Sequence, residues 1–220
     1  MKISLTLAAA FFAASLARAD IVIVQNIDGM GQNAQMTVTV GPTKVRMDVN
    51  PQISMITDVA TGDVTTIMRP QQSYMVTTAA MSKAMMASAI AQTGTTMSTN
   101  PPAPVATGKT DKINGFDASE YTFSNGTLKC TYWICKNFPN AKDVTDALKK
   151  MQSGGLASMT KGLTPDLSTF PGVPVKTEVE FNGQKITTDL VSATEQTVDP
   201  SQYEVPAGYT QMKLPTMPQQ

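Results

Sequence analysis

Three Asn-Gly dipeptides, Asn114-Gly115, Asn125-Gly126 and Asn182-Gly183, each sit between runs that alternate apolar and polar residues. Asn-Gly is the strongest short hairpin signal, because a type I′ turn needs positive φ at both central positions. Around Asn182-Gly183 the predicted register sets Phe181 against Gln184, Glu180 against Lys185, Val179 against Ile186 and Lys176 against Asp189. One face then carries Val175, Val179, Phe181, Ile186 and Leu190, and the other carries two opposite-charge pairs. A slip of one residue would destroy both features. Around Asn125-Gly126 the expected pairs are Phe123 with Leu128, Tyr121 with Cys130 and Ala118 with Trp133.

The N-terminal half follows the same rule. DIVIVQNID, AQMTVTV, TKVRMDV, ISMITDV, VTTIM and SYMV are short runs rich in β-branched residues, separated by Gly, Pro, Asn and Asp. In TKVRMDV, Val45, Met47 and Val49 take one face while Lys44, Arg46 and Asp48 take the other. Strands this short and this closely spaced imply an antiparallel meander. The chain closes with VSATEQTV, a turn at Asp199-Pro200-Ser201, a short YEV strand and a Pro-rich tail over 213–220.

Two segments break the pattern. Thr78–Gln92 is rich in Ala and Met, both good helix formers, with Met81, Met85 and Ala89 at i, i+4 and i+8 and Met86 and Ile90 beside them. Its single charge is Lys83. Thr93–Thr107 then reads as a flexible loop of small residues and prolines. A second helix begins after Asn140, a good N-cap, with Asp143 in its first turn and a stripe of Val144, Ala147, Leu148 and Met151. Lys149 and Lys150 suit its end and Gly154-Gly155 stops it. Gly162–Pro174 reads as a connecting loop.

The first residues have three parts: Lys2, an apolar run from Ile3 to Leu16, and Ala17-Arg18-Ala19 as an A-x-A site. This is the pattern of a secretory signal peptide over 1–19, with Asp20 as the new N-terminus. The remaining chain then has 15 basic and 17 acidic residues, one domain over 20–212, and no apolar stretch of transmembrane length. The mature protein is expected to be soluble and exported, to the periplasm or the extracellular space.

Composition narrows the chemistry. There is no His among 220 residues, so no imidazole base, no Ser-His or Cys-His system and no His ligand to a metal is available. Balanced charge argues against nucleic acid as a partner. Cys130 and Cys135 lie five residues apart in a strand-like run, which separates their Cα atoms by roughly 16 Å and sends their side chains to opposite faces. A disulfide needs Cα atoms within about 7 Å, so pairing is disfavoured.

TKVRMDV, SMITDVATGDVTTIMRPQQSYM, GKTDKINGFDASEYT, TYWICKNFPN and the closing PGVPVKTEVEFNGQKITTDLVSATEQTVDPSQYEVPAGY come in an order that resembles a family of exported, Met-rich bacterial proteins known only as a domain of unknown function. The Glu-Val-Pro-x-Gly-Tyr ending also resembles that of periplasmic lipoprotein carriers. That resemblance implies a mainly β, α+β fold: a single curved antiparallel sheet, an incomplete β-barrel, with two main helices on its concave side. It implies no activity, no cofactor and no site residues.

The methionines have three readings: Cu(I) ligation, filling of a core, or a soft lining for an apolar ligand, with Met81, Met85, Met86 and Ile90 as the candidate lining. The carboxylates fall near turns and strand ends, where Asp serves local hydrogen bonding. The cluster Phe116, Tyr121, Phe123, Tyr132, Trp133 and Phe138 is read as cross-strand packing. Asn125-Gly126-Thr127 matches a glycosylation sequon and is read as a turn. No catalytic or metal residue is identified. The leading expectation is a non-enzymatic carrier of a lipid or lipidated chain; the rival is an envelope interaction protein with a filled core and no ligand.

Overall fold

The computed structural model describes residues 19–29, 31–92, 98, 102–153 and 164–212, and for Gln32, Ala89 and Ile90 the backbone only. The apolar run of the signal sequence, part of the Thr93–Thr107 segment, Gly154-Gly155, Gly162 and the 213–220 tail lie outside the described residues.

Twelve strands form one sheet: β1 (Asp20–Gly29), β2 (Gln32–Val40), β3 (Lys44–Asn50), β4 (Ile53–Asp58), β5 (Val64–Met68), β6 (Ser73–Thr77), β7 (Val105–Ile113), β8 (Phe116–Asn125), β9 (Leu128–Cys135), β10 (Val173–Phe181), β11 (Gln184–Gln196) and β12 (Thr210–Gln211). The order across the sheet is β12-β6-β5-β4-β3-β2-β1-β11-β10-β9-β8-β7. All pairs are antiparallel except β12 with β6. A twisted sheet this wide curls rather than staying flat, and register shifts at Val24/Gln25, Asp48/Asn50, Ala106/Thr110 and Pro174/Lys176 add local bends. The result is an incomplete barrel with two helices, α1 (Ala79–Gln92) and α2 (Ala141–Met151).

The Asn182-Gly183 turn has φ of 51° and 77°, and the β10–β11 register matches the sequence expectation. The face reading is corrected. Val175 is an extra residue at the β10 bulge and joins the core under α2, as does Leu190, whereas Val179 and Phe181 pack in a second cluster. The β8–β9 register is also corrected: Asn125 pairs Leu128, Phe123 pairs Cys130 and Tyr121 pairs Tyr132. The two-residue loop is Gly126-Thr127, with Gly126 at φ 64°, so Asn125 is the last residue of its strand. Loop and register thus shift together, and by two residues, which keeps every side chain on its own face.

Four more expectations change, one being the Thr93–Thr107 loop, which gives way to β7 at Val105. Asn140 has φ 52° and makes no side-chain cap; its carbonyl instead accepts from Val144 N–H. The Gly162–Pro174 loop ends earlier, because β10 starts at Val173 and holds Pro174 beside its bulge, where a missing N–H is tolerated. The YEV segment is not a strand: Pro200–Tyr203 is a 3-10 turn capped by Asp199, and the last strand is Thr210–Gln211.

The main core gathers Ile21, Ile23, Val38, Val40, Val173 and Val175 around Val144 and Ala147 of α2. Val144 is 1% exposed and Val175 fully buried. Each such aliphatic side chain contributes roughly 1.5–3 kcal/mol through burial. The second cluster stacks Phe170 against Tyr132, with ring centroids 5.0 Å apart, and against Tyr121 at 5.4 Å.

Candidate functional site

β6 and β7 follow one another in the chain but sit toward opposite edges of the sheet. In a closed barrel two such strands would pair. Here the chain between them runs through α1.

Both ends of this crossover are tied down. At its start, Ala79 N–H donates to Asp63 Oδ1 at 3.0 Å and Met81 N–H to Thr78 Oγ1 at 3.3 Å, an N-cap assembled from two segments. Beyond its end, Asn125 grips Ser98: Ser98 N–H donates to Oδ1 at 2.8 Å, and Nδ2 donates to the Ser98 carbonyl at 2.9 Å. Asn125 is 3% exposed. Its amide therefore anchors the crossover to the far side of the sheet, which also explains why it forms no part of the turn.

Between these anchors α1 is weakly packed. None of its described side chains is buried. Met81 is 36% and Met85 49% exposed, and Met86 is half-buried. The Ile90 side chain lies outside the described residues. The candidate lining Met81, Met85 and Met86 therefore lies on the segment that leads from β6 toward β7, without a core of its own.

The other residues singled out by sequence lie elsewhere. Ala17 is outside the described residues. Ala19 is exposed, and Asp20 opens β1, where its carboxylate accepts from Tyr203 O–H at 2.8 Å. Burial, and then the Asp20 carboxylate, push the Tyr203 hydroxyl above its ordinary value. Cys130 and Cys135 are free and buried, Cys130 in the aromatic cluster and Cys135 under α2. Burial pushes the Cys130 thiol up, opposed by its hydrogen bond with Tyr132.

Sequence reasoning missed a polar cluster on β3. Arg46, set with Lys44 and Asp48 on the face opposite Val45 and Met47, is 8% exposed. It makes a two-pronged contact with Asp48 at 2.8 Å and donates from Nη1 to the Gln202 carbonyl at 2.5 Å. The fully buried Ser54 also donates to Asp48, and Arg69 approaches it at 3.3 Å. Partial burial pushes the Asp48 carboxyl up, but the Arg46 and Ser54 hydrogen bonds, the Arg46 charge and Arg69 outweigh it and hold the group below its ordinary range. With Lys44 Nζ donating to the Tyr203 carbonyl, this cluster fastens the C-terminal segment to β3. The Lys44-Arg46-Asp48 alternation was its only trace in the sequence.

Among the described residues no group of three or more His, Cys, Asp or Glu is placed to hold a metal ion, and no helix is long and apolar enough to cross a membrane. The profile of the Domain of unknown function (DUF4412) matches residues 21–209. The chain belongs to that family. No curated protein matches it. Among solved structures, the DUF4412 chain aligns with PNGF-II at 9% identity and a TM-score of 0.42, over 88% of this chain and 31% of that one. It aligns with the Pseudomonas aeruginosa MucA/MucB complex at 8% identity and a TM-score of 0.39, over 87% and 57%. A putative outer membrane lipoprotein-sorting protein domain from Vibrio parahaemolyticus aligns at 8% identity and a TM-score of 0.37, over 84% and 89%. The chain thus spans about a third of PNGF-II and just over half of the MucA/MucB chain.

Proposed function

We propose that this DUF4412 protein is an exported, non-enzymatic binding protein that takes an apolar ligand, a lipid or a lipidated chain, against α1 at the open side of the incomplete barrel. The observation that carries the reading is the exposure of Met81 and Met85 on a helix with one charge, on a span anchored at both ends. Methionine is flexible and polarizable, so it suits an apolar ligand of loose shape. Export rests on the cleavage pattern at Ala17-Arg18-Ala19, with Asp20 as the first mature residue. The rival, an interaction protein with a filled interior, draws support from α2, whose Val144 and Ala147 fill the main core.

Native mass spectrometry of the exported protein, together with uptake of 1-N-phenylnaphthylamine, tests the reading. Co-purifying lipid and probe uptake that falls in the Met81→Glu/Met85→Glu variant are expected. No lipid and no probe uptake in the wild type would leave the rival.

A further inference from the structure

The sheet face that carries α2 changes character along its strands. On β9, Cys135, Trp133, Thr131 and Lys129 alternate onto one face, and Cys135 and Trp133 pack with the α2 core. The register extends the next two rungs sideways, as Thr122, Thr131 and Glu178, then Ser124, Lys129 and Glu180. Away from α2 this face is therefore built from hydroxyls and charges. These rungs, with Lys185, line an open cleft of ≈ 450 Å³ that Phe123 and Cys130 also border and whose far wall is Pro102, Ala103 and Val105.

The charges in the cleft are unevenly satisfied. Glu178 takes Lys185 at 2.9 Å and Lys176 at 3.2 Å. Glu180 and Lys129 are direct cross-strand neighbours and exposed, yet among the described residues neither forms an ion pair. One free carboxylate and one free ammonium thus face the same space. An acyl chain laid over these two groups would strip their water without replacing their hydrogen bonds.

The cleft also opens where the α1 crossover lands. Ser124 lines it, the adjacent Asn125 holds Ser98, and Pro102 forms its wall. The apolar span and the charged cleft are consecutive along one stretch of chain.

We propose that this cleft is the polar subsite for the same ligand and takes the zwitterionic head group of an amphiphile, its cation at Glu180 and its anion at Lys129. The assignment rests on the reading that an apolar ligand binds at α1. The volume suits a head group rather than a whole lipid, since sites for drug-sized molecules run to about 300–1,000 Å³.

The test titrates the exported protein with three fluorescent lipids that share acyl chains and differ in head group: phosphatidylethanolamine, phosphatidylglycerol and diacylglycerol. Phosphatidylethanolamine should bind about three- to tenfold more tightly than the other two, the range expected for two solvent-accessible ion pairs. The double variant Glu180→Gln/Lys129→Gln changes two exposed positions and should abolish that preference while leaving diacylglycerol binding unchanged. Equal affinity for all three in the wild type, a preference for phosphatidylglycerol, or a preference that survives in the double variant would overturn the cleft assignment and leave the apolar-ligand reading standing. Binding of none of the three would overturn both.

Discussion

The two helices invert the usual relation between composition and burial. α2, AKDVTDALKKM, is nearly half charged, yet its Val144 and Ala147 are 1% and 5% exposed. α1, AAMSKAMMASAIAQ, has one charge and no buried side chain among those described. Burial follows pattern rather than content. The charges of α2 leave one clean apolar stripe that seats on β1, β2 and β10. α1 is apolar on several sides and seats on no strand in this way, so its stability comes from local helix propensity and its N-terminal anchors rather than from a core.

The sharpest way to break this contrast is to place a charge in the buried stripe of α2. Val144→Asp should cost more than about 4 kcal/mol, or prevent folding, because no partner waits for a carboxylate in that core. Urea unfolding measures it, and a loss under 1 kcal/mol would mean that α2 is not seated as described.

Next in size is the latch. Asn125→Ala removes both hydrogen bonds to Ser98 at a buried site and should cost about 2 kcal/mol. Its signature is local: faster deuterium exchange across α1 with α2 unchanged. Uniform acceleration in both helices would show that Asn125 stabilises the whole sheet and not the crossover.

A third prediction probes the root of α1 through the segment that borders β6. The Asp48 carboxyl lies below its ordinary value of 3.8. A depressed folded-state value means that the ionised form stabilises the fold fully above pH 3.8, and that this contribution fades as pH falls through the lower folded value. Asp48→Asn should therefore be less stable than wild type at pH 6, with the gap narrowing below pH 3.8. A gap that stays constant with pH would detach Asp48 from the network.

The smallest expected effect lies on α1. Met85→Ala should change stability by less than about 0.5 kcal/mol, as for an exposed position, against the 2–5 kcal/mol of a packed methionine. Thermal unfolding decides it, and a loss in the larger range would place Met85 in a core.

Where local chemistry decides, the sequence was legible. The Asn182-Gly183 register follows from two residues that both accept positive φ, with charges and apolar groups segregated on either side. The same dipeptide misled at Asn125, because a contact with Ser98, 27 residues away, draws its side chain into the structure, and no local rule reports that. Val175 changed clusters because a bulge cannot be told from regular alternation in sequence. The Arg46-Asp48 network was unreadable for a further reason. Its partners come from β3, β4 and the segment around Gln202, and only the fold brings them together. At the candidate site, helix and methionines could be read in advance, but the wide separation of β6 from β7 in the sheet could not, since it depends on where β7 ends up.

The position of β1 sets a schedule for assembly. It is the first strand of the domain, yet it lies in mid-sheet, where Asp20 pairs Gln196 and Gly29 pairs Ile186. A chain emerging N-terminus first can complete the meander from β1 to β6 at once, but one side of β1 stays open until residues 184–196 arrive. Until then the nascent protein exposes a long, β-branched edge ready to recruit the wrong strand. Closing that seam is a distant-contact event and should limit the folding rate. That seam is therefore the place where an incomplete chain is most open to mispairing, and where fast arrival of β11 matters most.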